Sequence, residues 1–163
     1  MIEMTSDEAV PGHPGFTWRW YSLKNMQPDL LYDLLALREA IFVVEQACVY
    51  HELDGLDKRA EHLVVSCGGA VVACLRVLPP GLKGERARIG RVAVAPDWRQ
   101  KGLARWMVTL AVEGLRRKDP TSGIRLDAQT YLQGFYESLG FEACGPEYLE
   151  DGIPHVPMQM ETR

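Results

Sequence analysis

No CxxC pair occurs in this chain: its cysteines, Cys48, Cys67, Cys74 and Cys144, are scattered, and Cys67 and Cys74 fall within apolar runs. That excludes a disulfide framework and a thiolate zinc site, and reads as small core hydrophobes in a reducing compartment. Positive charge is not in excess either. With 18 Lys and Arg against 22 Asp and Glu, the formal net charge is −4 and the pI about 5.6. No overall field therefore draws the molecule to nucleic acid or to an anionic membrane, and any anion must be bound locally. No segment approaches the roughly 18 successive apolar residues of a membrane span. The opening MIEMTSDEAVPGHPG has neither a basic n-region nor an apolar h-region. Residues 1–15 are thus expected to be a flexible leader, and the protein cytoplasmic. Repeats, low-complexity tracts and interdomain linkers are missing, which leaves one domain over residues 16–163.

What is present suits an ordinary soluble globular domain: 47% apolar and 25% charged residues over 163 positions, enough to bury a real core. Residues 17–22 alternate as a half-buried strand does. Pro28-Asp29 then opens a segment with Leu30, Leu34, Leu37 and Ile41 at helical spacing, which predicts an amphipathic helix to about Gln46. Residues 47–60 have no period and read as a loop or one short helical turn. "EHLVVSC" and "AVVACLRVL" are strand-like and meet at Gly68-Gly69, a hairpin signal. Residues 88–95 predict a strand, 101–118 a helix with Leu103, Met107, Leu110, Ala111 and Leu115 inward, and 123–129 a further strand. A short helix over "YLQGFYESLG" and two final strands complete a mixed α/β sheet.

The most informative stretch is "RVAVAPDWRQKGLARWMVTLAV", residues 91–112. It sets Arg99, Lys101 and Gly102 at the mouth of a helix. Cations are locally unfavourable there, because the first-turn N–H groups are unpaired and the macrodipole is positive at that end. They make sense with an anion between them and the helix, held by outward-pointing N–H groups, and a glycine lets that anion approach the backbone. The plainer alternative is a βα turn with solvated cations and Gly102 in the first helical turn. A nucleotide module using this turn for ATP would need GxxxxGK[ST], which is absent.

The Arg-x-x-Gly-x-Ala of Arg99, Gly102 and Ala104, directly after an apolar strand, resembles the acyl-CoA pyrophosphate motif of the GNAT N-acetyltransferases. About 30 residues later, "AQTYLQGFYESLGF" is similar to that family's second motif, with an aromatic pair on a short helix before Gly-Phe. "LREAIFVVEQ", the Asp54-Gly55-x-Asp57 loop followed by His62, and "EDGIPHVPM" resemble the ElaA-like branch, over roughly residues 17–160. The resemblance implies a GNAT fold: one twisted mixed β-sheet with helices on both faces, splayed between strands 4 and 5 (residues 88–95 and 123–129), where acetyl-CoA wedges in.

By the same resemblance, the N–H groups of about Gln100, Lys101, Gly102, Leu103, Ala104 and Arg105 hold the diphosphate, with charge from Arg99, Lys101 and Arg105. Val92, Ala93 and Val94 pair with the pantetheine arm, Gln129 joins the donor-binding set, and Tyr136 protonates the departing thiolate. Phe135 is expected to pack. The implied reaction moves an acetyl group from acetyl-CoA to a primary amine of a small molecule, peptide or protein by direct attack in a ternary complex. A non-catalytic acyl-CoA-binding or regulatory module on the same fold is the other reading.

On the acceptor side, Glu45, His62, Glu150 and His155 are base candidates by residue type, each with a structural alternative, and a water chain can replace them all. Asp54 joins them as an acceptor-site residue. The acceptor pocket is expected between the end of the first helix, residues 47–62 and the "YLEDGIPH" loop. His51, Glu52, Asp54, Asp57, Glu61 and His62 also invite a metal, but their spacing matches neither an EF-hand nor HExxH, and no metal is expected. Attraction of a cationic amine, or loop hydrogen bonding, are the uses left for those carboxylates. Neither nucleic acid nor membrane is expected as a partner, and a homodimer is left open.

Overall fold

A computed structural model describes residues 7–161. Strands β1 (Glu8–Ala9) and β2 (Phe16–Tyr21) precede helix α1 (Pro28–Glu39), which continues as one π-helical turn, Ala40–Glu45. A 3-10 turn at Leu56–Arg59 leads to the hairpin of β3 (Glu61–Cys67) and β4 (Ala70–Leu78). Then come β5 (Ala87–Val94), a 3-10 turn at Pro96–Trp98 and α2 (Leu103–Lys118). β6 (Ile124–Gln129), a 3-10 turn at Thr130–Leu132, α3 (Gln133–Glu137), β7 (Glu142–Ala143), β8 (Tyr148–Glu150) and β9 (Ile153–Met160) complete the chain.

The strands form one sheet in the order β1-β2-β3-β4-β5-β6-β9-β7, with β8 also on β9. All neighbours are antiparallel except β5 and β6, which α2 joins as a crossover. Alternation in β6 sends Ile124, Leu126 and Ala128 into a core shared with Leu103, Met107, Val108 and Ala111 of α2. On the opposite face Leu34 and Ile41 of the first helical segment pack on Val64, Cys74 and Ala93. Helices thus cover both faces, and among the described residues none is long and apolar enough to cross a membrane.

The β5–β6 pair is where the sheet opens. Only Ala87↔Ile124 and Arg88↔Arg125 pair, after which the two strands part and Ile89 to Val94 have no strand partner on that side among the described residues. A bulge accompanies the parting: Cys74 faces Ala93 and Arg76 faces Gly90, so Leu75 alone opposes Arg91 and Val92. Arg91 there takes a left-handed φ of 51°, uncommon for a residue with a Cβ and characteristic of a strand that is being re-aimed.

Several expectations need correction. Glu8 and Ala9, assigned to the leader, pair with Trp18 and Thr17, and Val10 is buried. A two-residue strand carries no periodicity to read. Residues 1–6 of that leader lie outside the described residues. Three strand segments rather than two follow α3, since Asp151-Gly152, both at positive φ, turn β8 back onto β9. The first helix reaches Glu45 as expected, but its last turn is π, where Ile41, Val43 and Val44 place β-branched side chains close together.

Candidate active site

The end of β5 and the start of α2 form a concave run of backbone donors. Ala95 N–H bonds the Val72 carbonyl at 2.8 Å, the 3-10 turn follows, and Gln100 (φ 59°) and Gly102 (φ 82°) then take left-handed conformations. Gly102 therefore caps α2 from outside rather than sitting in its first turn, and the helix starts at Leu103. Among the described residues the N–H groups of Gln100 to Arg105 make no hydrogen bond. Alternating handedness with several free N–H groups at a helix start is chemically an anion site. A Cβ at Gly102 would meet nothing within 4 Å, so the approach is open.

The flanking cations are folded back onto the protein. Lys101 Nζ donates to the Asp97 carbonyl at 3.1 Å and lies over the Trp98 ring. Arg105 donates to Ser138 Oγ at 2.7 Å and lies over Phe135, which links α2 to α3. Arg99 donates through Nε to the Val94 carbonyl (2.9 Å) and through Nη2 to Glu45 (2.8 Å), and that guanidinium hydrogen bond holds the Glu45 carboxyl below its usual range.

Around the bulge lies an ion network whose acids, Glu52, Asp54 and Asp57, form a visible cluster in the sequence but whose arginines do not. Arg38, fully buried, donates to Glu52 Oε1 (2.7 Å) and Asp57 Oδ1 (2.8 Å). Arg76 bonds Asp57 (3.0 Å) and both oxygens of Asp54 (2.8 and 2.7 Å). Arg91 donates to Glu52 Oε1 (2.8 Å) and to the Glu52 carbonyl (3.2 Å), with its guanidinium over the Phe42 and Tyr50 rings. Buried charges persist only when paired and hydrogen-bonded, and here each acid meets at least two arginines' reach through the loop. The network ties α1, the 47–60 loop, β4 and the β5 bulge together, fixing the left-handed Arg91 from its side chain.

The network also makes stability depend on acid pH. Burial alone would raise the Asp54 carboxyl, but Arg76, the Leu56 amide and Arg91 outweigh it and hold it at about 2, below its ordinary 3.8. A lowered folded-state value contributes stability above the ordinary value and loses it as pH falls through the folded one. Thermal melts of the wild type and Asp54→Asn should therefore differ most above pH ~4 and converge toward pH ~2. A gap that stays constant over that range would show that Asp54 contributes nothing through its charge.

Residues 31–162 match the model of the acetyltransferase (GNAT) domain. The chain belongs to the GNAT acetyltransferases. It is 35% identical to protein ElaA of Escherichia coli over 147 residues, 89% of this chain and 96% of that one. A UPF0039 protein of Schizosaccharomyces pombe is 38% identical over 90% of this chain and 96% of its own length. The crystal structure of an acyl-CoA N-acyltransferase from Pseudomonas aeruginosa superposes with a TM-score of 0.84 at 36% identity, covering 89% of this chain and 99% of that one. The ElaA-like GNAT fold with its open sheet is thus established, and with it an acyltransferase of the acyl-CoA-dependent class.

Within this GNAT domain Tyr136 of α3 is buried against the core and its ring packs edge-on to Phe135 and Phe141. Burial, with nearby Tyr131, pushes its phenol up to about 12, so it carries its proton at neutral pH. Its hydroxyl makes no hydrogen bond among the described residues. Val92 and Val94 pack on the α2 side and Ala93 on the α1 side, as strand alternation dictates. On the opposite wall Gln129 exchanges hydrogen bonds with Gln46 at the end of the π turn (3.0 and 3.4 Å), and Cys48 Sγ meets the Asp151 carbonyl at 3.2 Å. The end of the first helix and Cys48 at the start of the following loop therefore adjoin the end of β6 and the β8–β9 turn.

The acceptor-site candidates separate. His62 is 1% exposed, its Nε2 is 3.3 Å from the Asp57 carbonyl, and burial pushes its imidazole below the usual value. It is a core residue rather than a pocket wall, a correction that follows from its inward position on β3. Asp54 is committed to Arg76, Glu52 to Arg38 and Arg91, and Asp57 to Arg38 and Arg76, so these carboxylates form loop ion pairs. Glu45 holds Arg99, Glu150 is exposed, and His155 is half-buried on β9 opposite Gln129.

Proposed function

We propose that the protein transfers an acetyl group from acetyl-CoA to a primary amine by direct attack at the β5–β6 gap. The observation that carries this reading is the set of free N–H groups from Gln100 to Arg105, with two left-handed residues among them, directly beside that gap. Those donors fit a diphosphate, and the unpaired edge of β5 fits the amide-bearing pantetheine arm as an added strand. Thr130 Oγ1, buried without a partner among the described residues just past β6, is a further polar group that a ligand would satisfy. The thioester carbon then stands where the strands part. Tyr136, protonated and unengaged, gives its proton to the departing sulfur. General-acid help of this kind is worth about 10²–10⁴ in rate.

Acceptor-dependent thiol release from acetyl-CoA over a panel of amines, matched mole for mole by acylated amine, tests this reading. Binding of acetyl-CoA without turnover of any amine would instead identify a non-catalytic acyl-CoA-binding module.

Arg99 bears on the affinity for the donor. Its Nε occupies the Val94 carbonyl, an acceptor that the pantetheine arm would use, while Glu45 holds the other end of the guanidinium. Glu45→Gln removes the charged tether and one negative charge near the cradle. Exposed pairs of this type contribute about 0.2–1 kcal/mol, so calorimetry should give a CoA Kd roughly 1.5- to 5-fold tighter. Weaker binding in this variant would show that Glu45 presents Arg99 to the ligand rather than holding it back.

A further inference from the structure

We infer that His155 is the general base for the acceptor amine, an assignment that rests on the acetyl-transfer reading above. His155 Nδ1 lies 2.8 Å from the Ile153 carbonyl. A carbonyl only accepts, so Nδ1 carries the proton and the neutral ring keeps its lone pair on Nε2. Nε2 is 3.9 Å from Glu150 Oε2, outside hydrogen-bond range. The side chain is 12% exposed, and the Tyr148 ring lies against it with centroids 6.0 Å apart. The imidazole is thus held in one orientation, with its basic nitrogen committed to no hydrogen bond among the described residues.

Its place in the sheet completes the case. His155 pairs with Gln129, the last residue of β6, so both side chains share one face at the open end of the gap. Gln129 in turn bonds Gln46 across from α1, and the chain that leaves Gln129 leads within seven residues to Tyr136. The other candidates are spent or misplaced. Glu45 is tied to Arg99, and His62 is buried with Nε2 beside the Asp57 carbonyl. Glu150 is exposed on β8.

His155 Nε2 takes one proton from the bound ammonium, and the nitrogen lone pair so freed forms the N–C bond to the thioester carbonyl carbon. The C–S bond breaks, and the sulfur takes the Tyr136 hydroxyl proton. The surplus proton on the new amide nitrogen returns to the Tyr136 oxygen through water, and His155 yields its proton to solvent. One proton is released per amide formed, with no oxidant or further reactant.

The test compares the full-length wild type, His155→Ala and His155→Asn in thiol release with a protonated alkylamine and with hydroxylamine, which is neutral at pH 7. His155→Asn keeps an N–H donor for the Ile153 carbonyl, and so supports the turn while removing the base. Both variants should lose about 10²-fold or more with the alkylamine. The loss with hydroxylamine should be under about 10-fold, with acetyl-CoA affinity unchanged, and added imidazole should restore part of the alkylamine rate to His155→Ala. Equal losses with both acceptors and no imidazole rescue, or an asparagine variant with wild-type turnover, would overturn the assignment. A wild type that binds acetyl-CoA but acylates no amine would overturn the acetyl-transfer reading itself, which the variants' behaviour alone would not.

Discussion

Gly102→Glu is expected to weaken CoA binding by about 100-fold or more, roughly 2.7 kcal/mol, while the domain remains folded. The residue sits at φ 82°, outside the helix it caps, with nothing within 4 Å of where a Cβ would stand. A Cβ there meets no protein atom within 4 Å. The substitution carries left-handed backbone strain of about 1–2 kcal/mol and sets a side chain among the free N–H groups. A carboxylate at that point repels a diphosphate and competes for the same donors. Gly102→Ala separates the two contributions, because it brings the strain without the charge and should weaken binding far less. Calorimetric Kd values beside thermal melts check this, and a glutamate variant that binds CoA within about threefold of wild type would reduce the turn to a plain βα connection.

The second large effect is expected at Tyr136→Phe, which removes one hydroxyl and keeps the ring contacts with Phe135 and Phe141. A proton given to the departing thiolate is an interaction realised in the transition state. Its loss therefore falls on kcat and leaves CoA affinity almost unchanged. A single-turnover experiment at saturating enzyme, which product release cannot mask, should show chemistry slowed about 10²-fold, close to 2.7 kcal/mol of barrier. Because the hydroxyl makes no hydrogen bond within the described residues, the substitution leaves no partner orphaned, and stability should hardly change. Single-turnover chemistry within about threefold of wild type would remove Tyr136 as the acid and leave the donor site untouched.

How much of this could be read from the sequence depends on how local each signal is. The Gly68-Gly69 hairpin follows from two residues that both take positive φ, 59° and 83°, the primed turn that joins twisted strands. The cradle and Tyr136 are equally local, each a handful of residues on one strand-to-helix or short-helix segment. Gly102 as an outside cap, rather than a first-turn residue, was beyond spacing, since only backbone handedness distinguishes the two. Arg38 was beyond it altogether. Its position in the helix reads as a surface charge, and its partners Glu52 and Asp57 lie 14 and 19 residues away in a loop with no period. The bulge shows the same limit. Gly90 is the visible hint in "RIGRVAV", yet the left-handed residue is Arg91, held by contacts from the loop and the π turn. His155 was legible as a candidate by type, but its free nitrogen emerges only from the 2.8 Å contact that fixes the other one.

The central claim is that the acyl donor lies in the β5–β6 gap, with its diphosphate on the start of α2. Amide hydrogen exchange with and without acetyl-CoA tests it most directly, because the donors concerned make no hydrogen bond among the described residues and exchange freely until a ligand takes them. Protection should appear on Gln100 to Arg105 and along Val92 to Val94, and leave the β1–β2 edge unchanged. Acetyl-CoA that binds with no slowing at Gln100 to Arg105, or with protection confined to another face of the sheet, would contradict the account.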